Sequence, residues 1–371
     1  MKNIRCQPIK KIAHLHVWDQ QNKGDAAIVL AVQELLRKNF PASRIIDFPV
    51  DFLKKDLSHE RSGEKAAILK KINQADLVII GGGGIFYSYF LPYDLDVIRA
   101  ITKPVIIFGG GYIKEVDAAD LNQEAIKSVS TLVKQACAVG VRDFKTKEFL
   151  VKNGACPGKI KVIGDPAALL VEKKPPRAVL KKLGLINSSL KSKPKIKIGF
   201  NLNYSGWLGF GKWHDDILRA YWEVADYFLK RYGSPGGPGV EFYYLKHHPG
   251  EKQIYPELKI KNLRVVDLEP ADQKYVYGQL DLVIGMMLHA GVMAFGAGTP
   301  EISVAYDLRN YSFAEFIGQP ELVIDLDKLK KEELLKRVKL VFKDRRLYRK
   351  KFAKIKEKIN REETRFLRQL I

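Results

Sequence analysis

Short β-branched apolar runs alternate with stretches of helical spacing along most of this chain, and that alternation leaves few folds open, because parallel strands need a crossover, usually a helix, between them. In the first half, strands are predicted at His14–Val17, Arg44–Phe48, Asp76–Ile80, Val105–Phe108, Ala138–Val141 and Lys161–Ile163. Helical spacing fills the gaps. In Asp25–Lys38, Ile28, Ala31, Val32, Leu35 and Leu36 share one face, and Phe144–Asn153 is closed by Gly154. From Val171 to Pro194 the text changes to Lys-Lys-Pro-Pro and Asn-Ser-Ser-Leu-Lys-Ser-Lys-Pro, a linker composition. A second series follows, with strands at Ile196–Asn201, Glu241–Leu245, Leu263–Val266, Asp281–Gly285, Glu301–Val304 and Leu322–Ile324, and helices at Asp215–Arg231, His289–Gly296 and beyond Asp327.

A chain of 371 residues exceeds what one hydrophobic core usually organises. With 46% hydrophobic and 28% charged residues it can fill two cores and solvate their surfaces. The predicted organisation is α/β: a Rossmann-like domain at 1–172, a linker at 173–194, a second Rossmann-like domain at 195–327 and basic helices at 328–371, the two parallel sheets facing a cleft. Ligands of open α/β sheets bind beyond the carboxyl ends of the strands, so the residues that follow each strand carry the functional expectations.

Glycines and charged turns mark four of those ends in the first half. Gly24-Asp25 opens the first helix, Gly81 to Gly84 ends the third strand, Gly109 to Gly111 the fourth, and Gly164-Asp165-Pro166 the sixth. Glycine lets backbone approach a ligand and leaves amides free at a helix start, where an anion is favoured, so Gly24, Gly83, Gly84, Gly110 and Asp165 are candidate donor-binding residues. The same glycines also suit plain tight turns. Neither cluster fits GxGxxG with an acidic residue about 20 positions on, so no dinucleotide cofactor is expected. Asp25 either caps its helix or faces a ligand. Arg142, before Asp143, either grips an anionic substrate or forms an ion pair.

The second half is sharper. Lys246-His247-His248-Pro249 follows the apolar Phe242-Tyr-Tyr-Leu, placing a cation and two imidazoles at a strand end, and Asn201 ends the strand before it. Leu288-His289 follows Asp-Leu-Val-Ile-Gly-Met-Met and starts a small-residue helix. A histidine there stands where an anion docks, with a pKa suited to general acid work. Glu301-Ile-Ser-Val-Ala ends in Tyr306-Asp307, a pair able to hold a sugar hydroxyl or to close an ordinary strand. No metal site is expected: His14 and His16 share a strand face, but no third ligand accompanies them and packing explains them.

In order, Asn22-Lys-Gly-Asp25, Leu77-Val-Ile-Ile-Gly-Gly-Gly-Gly84, Phe108-Gly-Gly-Gly111, Val141-Arg-Asp143, Val162-Ile-Gly-Asp-Pro166, Leu288-His-Ala290 and Gly298-Thr-Pro300 with Tyr306-Asp307 resemble the polysaccharide pyruvyl transferase family over residues 14 to 318. The resemblance implies a GT-B-like fold and transfer of a pyruvyl group from phosphoenolpyruvate to a cell-surface glycan or its lipid-linked precursor, forming a ketal without a cofactor. It also implies His289 as the acid that protonates the enol methylene carbon, with Asp25 near the acceptor hydroxyl. The family pattern has an arginine two positions before this histidine, where this chain has Met287, which cannot pair with phosphate or carboxylate. Lys246 or His247 supplying that charge, a different donor, and lost catalysis are the three explanations. A nucleotide-sugar glycosyltransferase and a non-catalytic glycan-binding relative are the alternatives.

The net charge of +21 is uneven, since residues 328–371 hold 18 Lys and Arg against 6 Asp and Glu. Apolar residues there, from Leu334 to Leu367, recur at helical spacing and are expected to pack on the domains, leaving a basic face for anionic lipid near a lipid-linked acceptor. No nucleic-acid recognition motif accompanies the charge. Cys6, Cys137 and Cys156 form no paired spacing and read as ordinary thiols. No apolar run approaches the roughly 18 residues of a membrane helix. Met1 to Pro8 leads into a lysine pair and a strand instead of a signal-peptide core, so a cytoplasmic location is expected.

Overall fold

The computed structural model describes residues 8–17, 19, 21–55, 62–114, 118–186, 194–203, 210–234, 237–326, 329 and 331–369. Cys6, Pro235, Lys330 and residues 187–193 of the expected linker lie outside the described residues. The chain divides into two compact units, Met1–Gln20 with Ile28–Leu169 and Glu357–Ile371, and Gln21–Ala27 with Leu170–Lys356.

The first unit holds β1 (Lys11–His16), β2 (Arg44–Pro49), β3 (Leu77–Phe86), β4 (Val105–Tyr112), β5 (Ala138–Val141) and β6 (Ile160–Val162). All pairings are parallel, in the order β2-β1-β3-β4-β5-β6. The crossovers carry α1 (Lys23–Asn39), α2 (Ser62–Ile72), α3 (Leu95–Ala100), α4 (Gln123–Gln135) and α5 (Phe144–Lys152). The period-two alternation of buried strands fills a core on each sheet face. Ala13, Leu15, Val78 and Ile80 join one core with α4's Val129 and Leu132. Ile12, Leu77 and Ile79 join the other with α1's Val32, Leu35 and Leu36 and with Phe366 and Leu367.

The expected strand ends at Ile80 and Phe108 are corrected. β3 continues to Phe86 and β4 to Tyr112, through both glycine clusters. Their missing side chains are what lets the strands stay paired: a Cβ on Gly81, whose φ is +148°, would sit 2.0 Å from the Phe108 carbonyl oxygen. The register shifts between Gly83 and Phe86 and between Phe108 and Gly110 absorb the irregularity as bulges.

The second unit begins with α6 (Arg177–Lys182) and then β7 (Ile196–Phe200), α7 (Phe210–Tyr232), β8 (Val240–Leu245), β9 (Leu263–Val266), α8 (Pro270–Gly278), β10 (Leu282–Gly285), α9 (Leu288–Gly296), β11 (Glu301–Ala305), α10 (Leu308–Phe316), β12 (Val323–Asp325), α11 (Lys331–Lys343) and α12 (Arg345–Arg368). Its parallel sheet runs β9-β8-β7-β10-β11-β12. Counted within the unit this is the order 3-2-1-4-5-6, which reverses direction between β7 and β10 and makes the loops after those strands the topological switch point.

Two memberships differ from the sequence expectation. Residues 21–27 belong to the second unit, and the basic segment 328–371 is no separate body, its first part packing with the second unit and residues 357–371 with the first. Leu334, Val338, Val341, Phe342, Tyr348, Phe352, Ile359, Phe366 and Leu367 are all buried while Leu340 and Leu347 are exposed, so most of the apolar stripe of these helices is internal. Among the described residues, no helix is long and apolar enough to cross a membrane.

Candidate active site at the switch point of the second sheet

Asn201 follows β7 directly and ties three strand ends together. Its side-chain oxygen accepts from the Met287 amide at 3.0 Å, while its side-chain nitrogen donates to the Leu245 carbonyl at 2.9 Å and lies 3.3 Å from the Glu251 carboxylate. The loop after β7, the end of β8 and the start of α9 are thereby fixed. Met287 occupies the N-cap position of α9 and offers no side-chain acceptor, so the helix opens on backbone amides, an arrangement that favours an anion. Every residue of α9 is buried, and His289 in its first turn retains 8% exposure.

The loop after β1 reaches the same place. Asn22 caps α1, its side-chain oxygen accepting from the amides of Gly24 at 3.0 Å and Asp25 at 3.4 Å. Capping therefore falls to Asn22, and Asp25 sits half-buried in the first turn. The Lys23 amide donates to the His247 carbonyl at 2.9 Å, and the Lys23 ammonium pairs with Asp267 at 2.8 Å. Gly24 lies against the imidazole: a Cβ built on it would stand 2.4 Å from His289 Nδ1. Only a residue without a side chain fits.

Positive charge comes from a residue that sequence reasoning missed. Arg309, in the first turn of α10, bonds Asp307 through Nε at 2.7 Å and the Tyr306 hydroxyl through a terminal nitrogen at 3.1 Å. Asp307 and Asp25 both hold its guanidinium firmly protonated against the cost of burial. Its only sequence signal is its place two residues after the Tyr-Asp pair. Asp307 itself is buried and engaged as the cap of α10, accepting from the Arg309 amide at 2.8 Å. The expectation that it holds a sugar hydroxyl is corrected accordingly.

Neither cation expected to replace the missing arginine is available as proposed. Lys246 is buried and paired with Asp267. His247 is fully buried, its Nε2 lies 2.7 Å from the Tyr277 hydroxyl, and burial together with nearby Lys23 pushes its pKa down to about 3, so it is neutral. Glu251, also unsuspected, explains the turn after β8: its carboxyl accepts from the amides of His247 at 2.9 Å and His248 at 2.8 Å and from the Tyr244 hydroxyl at 2.7 Å. Burial raises its pKa to about 8 against the opposing effect of those bonds. The pattern His248-Pro-Gly-Glu251 is a capping box in which histidine replaces serine or threonine, and such a box is the signal that could have found it.

The remaining candidates lie in the first unit. Gly83, Gly84 and Gly110 are buried inside β3 and β4, where no helix begins, so the phosphate-cradle expectation for them is corrected. Arg142 is 3% exposed, 3.4 Å from Asp143 and 3.6 Å from Asp165, an internal ion-pair cluster. Asp143 also caps α5 through the Thr146 amide at 2.7 Å. Burial raises the pKa of Asp165, and Arg142 opposes that rise. Thus the second unit gathers Gly24, Asp25, Asn201, Lys246, His247, Leu288, His289, Tyr306 and Asp307, and the first holds the other five predicted residues. The first unit also brings Asp47 beside His14 and His16.

The polysaccharide pyruvyl transferase family model matches residues 22–307, a span that includes both the Asn22–Asp25 turn and the His289 helix. The chain belongs to the polysaccharide pyruvyl transferase family. No curated protein matches it significantly in sequence. Among solved structures, a UDP-N-acetylglucosamine 2-epimerase is similar at TM-score 0.60 and 12% identity, over 98% of this chain and 95% of the other. A putative UDP-N-acetylglucosamine 2-epimerase from Listeria monocytogenes follows at 0.56 and 15%, over 92% and 90%. Anabaena HepE in complex with UDP-glucose gives 0.55 and 12%, over 97% and 98%. At these identities the likeness is one of fold, and it places the two Rossmann-like sheets in the GT-B-like class.

Proposed function

We propose that this family member transfers a pyruvyl group from phosphoenolpyruvate to a sugar of a cell-surface polysaccharide or its lipid-linked precursor. The observation that carries the reading is the seating of His289 in the first turn of an uncapped helix at the switch point, with Gly24 against its ring. An imidazolium there delivers a proton to the enol methylene carbon, and the cationic carbon that results is captured by a sugar hydroxyl. Asp25, across the same turn, accepts the hydroxyl proton. Attack by a second hydroxyl expels inorganic phosphate and closes the ketal, so the sum is phosphoenolpyruvate plus diol giving pyruvyl ketal plus phosphate.

Charge for the donor comes from the α9 amides and from Arg309, which reaches the site from another strand end and offsets the methionine at position 287. The fork of Arg309 already engages Asp307, so it supplies field more than a second bidentate grip. No residue of this scheme requires a cofactor.

Calorimetry against phosphoenolpyruvate and a panel of UDP-sugars tests the donor. Heat with phosphoenolpyruvate, and phosphate release that falls about 10²–10⁴-fold in His289→Ala, is the expected result. Heat with a UDP-sugar alone assigns glycosyl transfer instead, and glycan binding without turnover of any donor assigns a binding protein. The exposed lysines and arginines of α11 and α12, such as Lys343, Arg346, Lys350 and Lys354, support a peripheral contact with anionic lipid. Flotation on anionic but not neutral vesicles, lost when these four become glutamate, is expected; equal flotation on both removes the lipid contact.

A further inference from the structure

The mechanism leaves one cluster of ligating side chains unused. His14 and His16 lie two apart on β1 and so project from the same sheet face, and Asp47 of β2 pairs in register with His14. His14 Nδ1 stands 3.6 Å from an Asp47 carboxylate oxygen and His16 Nε2 stands 3.4 Å from the same oxygen. One ligand atom from each of the three lies within 4.8 Å of the other two. Tetrahedral zinc, with bonds of about 2.0–2.2 Å, holds its ligand atoms roughly 3.3–3.6 Å apart. The two carboxylate distances already match, and the histidine pair, within 4.8 Å, needs to close by about 1.2–1.5 Å at most.

The surroundings complete the ligands as a metal site requires. His16 places Nδ1 3.0 Å from the Val17 carbonyl, a bond that leaves Nε2 with its lone pair toward Asp47. Gln33 on α1 donates to the Asp47 carboxylate at 2.9 Å and is itself oriented by Arg37 at 3.0 Å. The His14 side chain is fully enclosed while that of Asp47 is 31% exposed, so solvent reaches the cluster from the carboxylate side.

We propose that His14, His16 and Asp47 bind one divalent transition-metal ion of the zinc class, clipping the carboxyl ends of β1 and β2 together. Two imidazoles and one carboxylate suit zinc or cobalt and are too few oxygens for calcium or magnesium. The site lies in the first unit, and it is independent of the donor assigned to His289.

The test uses the full chain with Cys6, Cys137 and Cys156 replaced by serine, stripped with chelator and titrated with zinc chloride, cobalt chloride and magnesium chloride. One zinc per chain at about micromolar affinity or tighter, intense visible absorption on cobalt loading, and no response to magnesium are expected. Asp47→Asn, nearly isosteric and partly exposed, weakens zinc by roughly 100-fold, and Gln33→Ala weakens it by roughly 10–100-fold. A His214→Ala variant, altered at a partly exposed position of α7 in the second unit, binds as the parent does. Absence of stoichiometric zinc binding by the parent chain overturns the site, as does zinc affinity unchanged in Asp47→Asn. Because the parent measurement needs no variant to fold, the outcome stands even where a histidine replacement destabilises the sheet.

Discussion

Gly24→Ala isolates the contact on which the proposed chemistry depends. The backbone at Gly24 is helical and tolerates alanine, which in this first turn gains less than the roughly 0.8–1 kcal/mol over glycine of a helix interior, so the backbone itself resists nothing. The added methyl carbon, however, would stand 2.4 Å from His289 Nδ1 and 2.7 Å from both Cβ and Cγ. Since an ordinary contact is about 3.5 Å or more, the imidazole and the turn must separate by about 1 Å. The histidine cannot retreat freely, because all of α9 is buried. Displacing an acid by about 1 Å costs on the order of 100-fold in turnover, or about 2.7 kcal/mol in the barrier. Initial rates of phosphate release from phosphoenolpyruvate should fall by that factor. The strain of overpacking, about 1–3 kcal/mol, is partly offset by the propensity gain, so the thermal midpoint should move by only a few degrees. Turnover within about twofold of the parent, in a protein that retains its fold, would show that the ring position at Gly24 has no part in transfer.

Two further outcomes follow from the same site. Asn201→Ala leaves the Met287 amide and the Leu245 carbonyl without their partner, and urea denaturation should show a loss of roughly 1–3 kcal/mol; an unchanged midpoint would mean these bonds are replaced. Glu251 has a folded pKa of about 8, above the unfolded value of about 4.3, so the folded state binds the extra proton between those values and stability falls as pH rises through that window. The slope is at most roughly 1.4 kcal/mol per pH unit, and Glu251→Gln, which cannot ionise, should flatten it between pH 5 and 8; identical urea midpoint profiles for the two proteins would refute the assignment.

The legible parts of the fold are those where burial and periodicity coincide. Ala138–Val141 and Leu263–Val266 are short, mostly apolar runs and form strands with those limits. The glycine runs mislead because a glycine-rich strand end and a phosphate-binding turn share one composition, and only the pairing of Gly81 against Phe108 distinguishes them. His289 and the Asn22–Asp25 turn are legible as motifs, but their meeting is not, since it depends on residues 21–27 packing with the second unit. Arg309 escapes because the short α10 has no strong apolar periodicity to announce it. Asp47 is hidden for a different reason: a strand register, not sequence spacing, brings it beside His14. Glu251 shows the converse case, a buried acid held by two backbone amides on one oxygen and by the Tyr244 hydroxyl on the other.

Proton delivery to the donor carbon is the central chemical claim, and turnover in heavy water reads it directly. With phosphoenolpyruvate and a glycan acceptor, the account predicts a ketal methyl group carrying one solvent deuteron, one phosphate released per ketal formed, and both products formed about 10²–10⁴-fold more slowly in His289→Ala. Ketal formed without solvent deuterium, or formed at the parent rate without His289, would contradict it.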